Sequence, residues 1–91
     1  MPVEVRLPTQ LRPLAGGATS VTAPEGTVGE VFAELAVRYP GISDQLVDES
    51  GALRKFVNVY RNDDDIRYLE LLDTPVSDGD EIAILPAVAG G

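Results

Sequence analysis

The sequence has no cysteine and no histidine, and its only lysine is Lys55. These absences exclude disulfides, thiolate nucleophiles and imidazole bases, and they remove most of the side chains that bind zinc. The hydroxyl groups of Thr9 and Ser20 therefore have no imidazole to activate them. Because no general acid–base pair is recognisable either, we expect the domain to be a partner or substrate of enzymes and not an enzyme itself.

Long hydrophobic runs are also missing. No apolar stretch approaches the roughly 20 residues that a membrane-spanning helix needs. The N-terminal sequence, MPVEVRLPTQ, lacks the basic segment and apolar run of a signal peptide. Hydrophobic residues make up 44% and charged residues 24% of the chain, which is typical of one soluble domain. We therefore expect a cytoplasmic protein with one domain over residues 1–86 and a flexible tail over residues 87–91.

Basic residues are scarce in the last third of the chain. Residues 62–91 contain eight acidic residues and one basic residue, Arg67, whereas residues 1–61 contain seven acidic and six basic residues. With a net charge of −8, the chain is a poor match for nucleic acids and anionic membranes. A partner with a basic docking surface fits this distribution better. Acidic turns that only keep the protein in solution explain it equally well.

The clearest predicted element is a helix that begins after Thr27. Thr27 is a typical N-cap residue, and Glu30 completes a capping box. Glu34 and Arg38 have the spacing of an ion pair on the outer side of this helix. The sequence Tyr-Pro-Gly at 39–41 is expected to end it. The apolar face of the helix would consist of Val28, Val31, Phe32, Leu35 and Tyr39.

Alternation of apolar and polar residues predicts the strands. Val3, Val5 and Leu7 alternate with charged residues, and a second strand over 20–23 completes a hairpin after a glycine turn at 16–17. The later elements are a strand in KFVNVYRN, ended by an NDDD turn, and a strand in EIAILP. We also expect a short helical turn near Ser43–Val47, and either a short strand or one turn of helix over Ile66–Leu72.

The order of these elements predicts an α+β fold of the β-grasp (ubiquitin-like) type. It has a mixed four- or five-stranded sheet crossed by one main helix, because a helix that follows a hairpin must cover one face of the sheet. The pleat directs Val57, Val59, Ile82 and Ile84 towards that helix. The opposite face would be an apolar patch that marks a partner surface, unless the loops at 8–19 and 40–54 fold over it. The predicted members of this outer-face patch are Phe56, Tyr60, Ala83 and Leu85.

No metal or phosphate site is predicted. The three carboxylates at 63–65 lack the spaced oxygens and the closing glutamate of a calcium loop. The paired glycines in PLAGGATS are not followed by the Lys-Ser/Thr of a phosphate-binding loop. Both segments are typical of turns exposed to solvent.

The sequence finishes on Gly90 and Gly91. The five residues 87–91 reach at most about 17 Å when they are extended. Because the last two have no side chains, the terminal carboxylate can pass through a narrow channel into the active site of another protein. The alternative is a terminus without a function.

The β-grasp order together with DGDEIAILPAVAGG resembles the ubiquitin-like sulfur carriers of the ThiS/MoaD group. The segments LPTQLRP, YPGIS, FVNVYRNDDDIR and ILPAVAGG are most similar to the CysO-type carriers of cysteine biosynthesis, and together they cover nearly the whole chain. The MoaD-like small subunit of molybdopterin synthase shares the tail pattern. It is usually shorter and is less similar across residues 8–60.

The resemblance implies that a partner enzyme related to ubiquitin activators uses ATP to adenylate the Gly91 carboxylate. A sulfur donor then displaces AMP and leaves a thiocarboxylate, so the carrier itself binds no cofactor. In CysO-type pathways the thiocarboxylate attacks an aminoacrylate on a cysteine synthase that uses pyridoxal phosphate. A zinc metalloprotease then releases cysteine from the tail. Related carriers also supply thiosugar synthases.

The resemblance also implies which residues carry the function. Gly91 would hold the sulfur with Gly90 beside it, and the outer-face patch would dock the partner together with the tail residues Pro86, Ala87, Val88 and Ala89. Three alternatives stay open at this point. The protein could be a MoaD-like subunit for molybdopterin synthesis, a ubiquitin-like modifier joined to lysine amines through Gly91, or a binding domain whose tail has no role.

Overall fold

The computed structural model describes residues 2–55 and 57–86, without the side chain of Pro86. The elements are β1 (Val3–Arg6), β2 (Ser20–Ala23), β3 (Gly26–Thr27), α1 (Val28–Arg38), α2 (Pro40–Leu46), β4 (Val57–Arg61), β5 (Asp64–Asp65), β6 (Pro75–Val76) and β7 (Glu81–Pro86). Five strands form the main sheet in the order β2-β1-β7-β4-β5, and β3 and β6 form a separate two-stranded sheet.

The main sheet is mixed. β1 pairs antiparallel with β2 and parallel with β7, while β4 pairs antiparallel with both β7 and β5. The parallel pair of β1 and β7 lies inside the sheet, between the β1–β2 hairpin edge and the β4–β5 hairpin edge. In the sequence, α1 connects these two hairpins and crosses one face of the sheet. This topology is the predicted β-grasp, with one main helix on one face of the sheet.

The predicted capping box starts α1. The Glu30 N–H donates to Thr27 Oγ1 at 3.1 Å, and the Thr27 N–H donates to Glu30 Oε1 at 3.0 Å. Glu34 and Arg38 form the predicted ion pair, with 3.8 Å between Oε1 and Nε. The apolar face predicted for this helix is buried, except that Tyr39 lies at the C-cap and is only partly buried.

The prediction for the segment after α1 is partly wrong. Pro40 ends α1 as expected, but it also begins α2, a seven-residue helix that includes Gly41 and ends at Leu46. Proline suits the first position of a helix because that position needs no N–H donor and because the ring fixes a helical φ angle. Ile42 and Leu46 are fully buried and attach α2 to the core.

One loop prediction needs correction, and the structure decides between the two alternatives for another segment. The expected NDDD turn is shorter than predicted, because only Asn62 and Asp63 turn while Asp64–Asp65 pair with β4 as β5. The segment Ile66–Leu72, for which a strand or a helical turn was predicted, is helical. It contains the 3-10 turn Ile66–Tyr68 and the start of a second one, Leu71–Asp73. β3, β6 and the 3-10 turn Arg12–Ala15 were not predicted from the sequence.

The core lies between the sheet and the two α-helices. The four residues predicted to face the helix are buried, with exposed fractions of 7% for Val57, 0% for Val59, 0% for Ile82 and 2% for Ile84. The glycine turn after β1 is confirmed, since Gly16 and Gly17 have φ angles of 68° and 90°. None of the described helices is long and apolar enough to cross a membrane.

Candidate functional site

The outer face of the sheet is the first part of the candidate site. The register places Arg6, Ala83 and Tyr60 side by side across β1, β7 and β4, and it places Leu85 opposite Asn58. These positions alternate with the buried ones, so they lie on the face away from α1. Tyr60 and Ala83 are half-buried, and Leu85 is 49% exposed.

The two loops that the sequence offered as covers for this face are placed differently. The segment 40–46 is α2, which packs against α1 on the other side of the sheet. Residues 8–12 instead border the outer face beside β7 and leave a groove between the loop and the strand. The apolar surface at Leu85 therefore stays open to a partner. Its role in docking stays a prediction.

The last strand leads directly from this face to the tail. The backbone of Pro86 pairs with Val57, which is the final pair of the β4–β7 ladder. The chain thus leaves the described structure next to the start of β4. The other predicted site residues lie outside the described residues: Phe56, Ala87, Val88, Ala89, Gly90 and Gly91.

Arg67 organises the start of β4, a role that sequence reasoning missed. Its Nη1 donates to Asn58 Oδ1 at 2.9 Å, and its Nη2 donates to the Val57 carbonyl oxygen at 2.7 Å. The same Nη2 lies 3.2 Å from the carbonyl oxygen of Arg54 and 3.4 Å from that of Lys55. One half-buried guanidinium group thereby fixes the segment that pairs with the end of β7.

The short β5 explains why this group is needed. β5 pairs only with Tyr60 and Arg61, so it does not reach the first residues of β4. The exposed carbonyl groups at that edge need donors, and the guanidinium supplies several in a fixed plane. A signal existed in the sequence, because Arg67 is the only basic residue between 62 and 91. Its partners are distant in sequence and could not be read from it.

The acidic residues collect at the opposite end of β7. The Asn62–Asp63 turn and the turn before Glu81 meet there, since the Asn62 N–H donates to the Glu81 carbonyl oxygen at 2.7 Å. β7 has six residues, from Glu81 to Pro86, so its two ends are about 17 Å apart. These two acidic turns are therefore remote from the place where the tail begins.

Hydrogen bonds in the turns stabilise the ionised form of two carboxylates. The Ser77 N–H and the Asn62 side-chain amide donate to Asp80, and they lower the pKa of its carboxyl group. The Ser50 hydroxyl and the N–H groups of Ala52 and Ser50 likewise lower the pKa of Asp48. Both groups shape turns. Within residues 2–55 and 57–86, no three His, Cys, Asp or Glu side chains come together as ligands for a metal ion.

Comparison with known proteins agrees with this architecture. The ThiS family matches residues 5–91 of the chain. The chain is 50% identical, over 93 aligned positions, to the sulfur carrier protein CysO of Mycobacterium tuberculosis, and the match covers 100% of both chains. The resemblance found in the sequence is thereby confirmed.

Solved structures give the same result. A chain of the Amycolatopsis orientalis BexX/CysO complex has a TM-score of 0.90 and 47% identity, over 98% of this chain and 99% of that one. The small archaeal modifier protein 1 of Methanosarcina acetivorans has a TM-score of 0.83 and 35% identity, over 98% and 95% of the two chains. The matched family consists of small carrier proteins rather than enzymes, as the sequence predicted. The chain belongs to the ThiS family.

Proposed function

We propose that this protein is a sulfur carrier of the CysO type, which carries sulfur as a thiocarboxylate on Gly91. The observation that carries the proposal is the 50% identity to a sulfur carrier protein over the whole length of both chains. The composition supports it. A carrier that holds its cargo on the main-chain carboxyl group needs no cysteine, and this sequence has none that could react with the cargo.

The chemistry takes place in two steps on a partner enzyme. A carboxylate oxygen of Gly91 attacks the α-phosphorus of ATP, pyrophosphate leaves, and an acyl adenylate forms. A sulfide equivalent then attacks the acyl carbon, AMP leaves, and the product is an ionised thiocarboxylate. The carrier contributes the reacting carboxyl group and a docking surface, while the partner binds ATP and provides the catalytic groups.

The fold fits this division of work. β7 ends at Pro86 beside the open apolar surface at Leu85, so a partner that binds the outer face is close to the start of the tail. The five residues that follow span at most about 17 Å, which is enough to enter a recessed active site. We propose that Tyr60, Ala83 and Leu85 contact the partner, together with Phe56.

Two kinds of enzyme are proposed as partners. One is an adenylating sulfurtransferase related to ubiquitin activators, which loads the tail. The other is a biosynthetic enzyme that accepts the sulfur, either a cysteine synthase that uses pyridoxal phosphate or a thiosugar synthase. The first acceptor would also require a zinc metalloprotease to release cysteine. The BexX/CysO complex supports a stable encounter between a CysO carrier and another protein.

The test is the intact mass of the protein after incubation with ATP, sulfide and the adenylating enzyme from the same organism. We expect one oxygen atom to be exchanged for sulfur. A matched control carries two extra residues after Gly91. The Gly91 carboxyl group then forms a peptide bond, so the mass of this control should not change. An unchanged mass of the normal chain, with an enzyme shown to be active by exchange of pyrophosphate into ATP, would refute the proposal.

A second candidate is a protein modifier, favoured by the similarity to small archaeal modifier protein 1. In that function the adenylated Gly91 is joined to amines of other proteins. Lys55 is the only lysine of this chain, so chains of the modifier linked through a lysine side chain could form only there. Covalent conjugates of the protein with other proteins in a lysate would support this function over sulfur transfer. Conjugates that contain several linked copies should be absent with the K55R variant.

A further inference from the structure

A groove of about 460 Å³ lies on the outer face, between residues 8–12 and β7. We call it the arginine groove, because its charged lining residues are Arg6 and Arg12. Ala83 and Leu85 line it on the side of β7. Among the described residues, no carboxylate lines this groove, although the whole chain has a net charge of −8.

The local sequence creates the groove. The Glu4 N–H donates to the Asp80 carbonyl oxygen across the β1–β7 ladder, whereas the Leu7 N–H donates to Thr19 on the β2 side. Every second residue from Glu4 onward therefore bonds to β7, and the residue that follows Arg6 in this series is Pro8. Proline has no N–H, so the ladder cannot continue. The loop turns away, and the end of β7 is left with one edge open.

The two arginines keep donors available in this space. The Nε of Arg12 donates to the Leu7 carbonyl oxygen at 3.2 Å, which holds the side chain at the groove. Its two terminal nitrogens meet no acceptor within the described parts of the chain. The Arg6 side chain is 65% exposed, and among residues 2–55 and 57–86 it pairs with Glu81, whose Oε1 lies 3.7 Å from Nη1. Such a solvent-exposed pair is weak and exchanges readily for a better one.

We propose that the arginine groove binds an acidic side chain of the enzyme that adenylates the tail, with an apolar neighbour of that side chain resting on Leu85. The inference rests on the proposed function and names one contact of its docking step. A carboxylate matches the planar fork of a guanidinium group. Arg12 has no carboxylate partner among the described residues, and Arg6 has only the exposed pair with Glu81, so both favour such a ligand. From the sequence alone, a basic docking surface on the partner was the only charged contact that could be expected.

The groove and the acidic turns together orient the carrier. The groove borders the later part of β7, from Ala83 to Leu85, whereas the acidic turns meet at Glu81, where β7 begins. The partner must therefore present an acidic residue near the entrance that receives the tail and basic residues farther away. A carrier that docks the wrong way round would place like charges together, and its tail would point away from the active site.

The test is the affinity of the full-length chain for the adenylating enzyme, measured by calorimetry without ATP. The variants are R12Q and R6Q, and R38Q is the matched control because it removes the same charge from α1. We expect R12Q to weaken binding about tenfold or more, since a charge-assisted contact is lost. R6Q should weaken it severalfold, and R38Q should bind like the unchanged protein. Added salt should narrow these differences.

Each result has one meaning. Equal affinities of R12Q, R6Q and R38Q would overturn the proposal, and so would tighter binding of R12Q, which would indicate that the chain's own terminal carboxylate occupies the groove. If R12Q does not fold, as judged by circular dichroism, R6Q alone decides the question. If the affinities are as expected but the mass measurement shows no sulfur exchange, the proposed function is refuted while the proposal for the arginine groove stands.

Discussion

Replacement of Arg67 by methionine should destabilise the protein more than any other change of a single surface charge. Methionine keeps much of the side-chain length but removes every donor. The two short contacts, to Asn58 Oδ1 at 2.9 Å and to the Val57 carbonyl oxygen at 2.7 Å, are lost together. A hydrogen bond from a charged donor contributes about 1.5 kcal/mol. The contacts to the carbonyl oxygens of Arg54 and Lys55 are longer, at 3.2 and 3.4 Å, and add little.

The expected loss is about 2–3 kcal/mol in the free energy of unfolding, because water replaces part of what a half-buried group loses. For a domain of this size, that loss lowers Tm by about 10–20 °C. Urea denaturation followed by circular dichroism measures it directly, with an unchanged m-value as the check on the two-state assumption. The free energy of unfolding of R67K should lie between those of R67M and the unchanged protein, because lysine donates to single carbonyl groups but lacks the planar fork.

The matched control is R6M. Arg6 is largely exposed and makes one ion pair at 3.7 Å, so its loss should cost at most about 0.5 kcal/mol. If R67M and R6M lose the same small amount, then the guanidinium of Arg67 does not hold the start of β4. The explanation given for that edge of the sheet would then be wrong.

Three further predictions concern the helix cap, an acidic turn and the outer face. T27A should lose about 1 kcal/mol of stability in urea denaturation, because the side-chain half of the capping box disappears. The pKa of Asp80, followed by NMR, should lie below its usual value of 3.8 and should rise in N62A, which removes one of its donors. Because the folded-state pKa of Asp80 is lowered, its contribution to stability should be complete above pH 3.8 and should be lost as the pH falls through the folded-state value. L85D should fold with nearly unchanged stability and should bind the adenylating enzyme more weakly, since Leu85 is 49% exposed on the proposed docking face.

Much of the fold could be predicted because its signals are local and periodic. The capping box at Thr27 and Glu30 lies within four consecutive residues, and the strand faces follow from alternation in β4 and β7. Pro40 shows where local reasoning fails. A proline after a helix is compatible with a loop or with the first residue of the next helix, and only the burial of the later apolar residues decides between them.

The missing parts depend on contacts between distant residues. β3 and β6 have two residues each, so neither has enough length for an alternating pattern, and they pair across almost fifty residues. The contacts of Arg67 with the start of β4 join residues that are 9 to 13 positions apart in the sequence. The arginine groove likewise requires the loop after β1 to come beside β7. A lone arginine and a proline are visible in the sequence, but their partners are not.

The most direct test of the account is the position of the sulfur atom. Trypsin cleaves after Arg67, and no lysine or arginine follows, so residues 68–91 form one peptide that contains the whole tail. After incubation with ATP, sulfide and the adenylating enzyme, tandem mass spectrometry of this peptide should locate the exchange of oxygen for sulfur at Gly91. Sulfur at any other residue, or a fully unmodified peptide from a reaction that consumes ATP in a carrier-dependent manner, would contradict the claim that the terminal carboxyl group is the sulfur-carrying group.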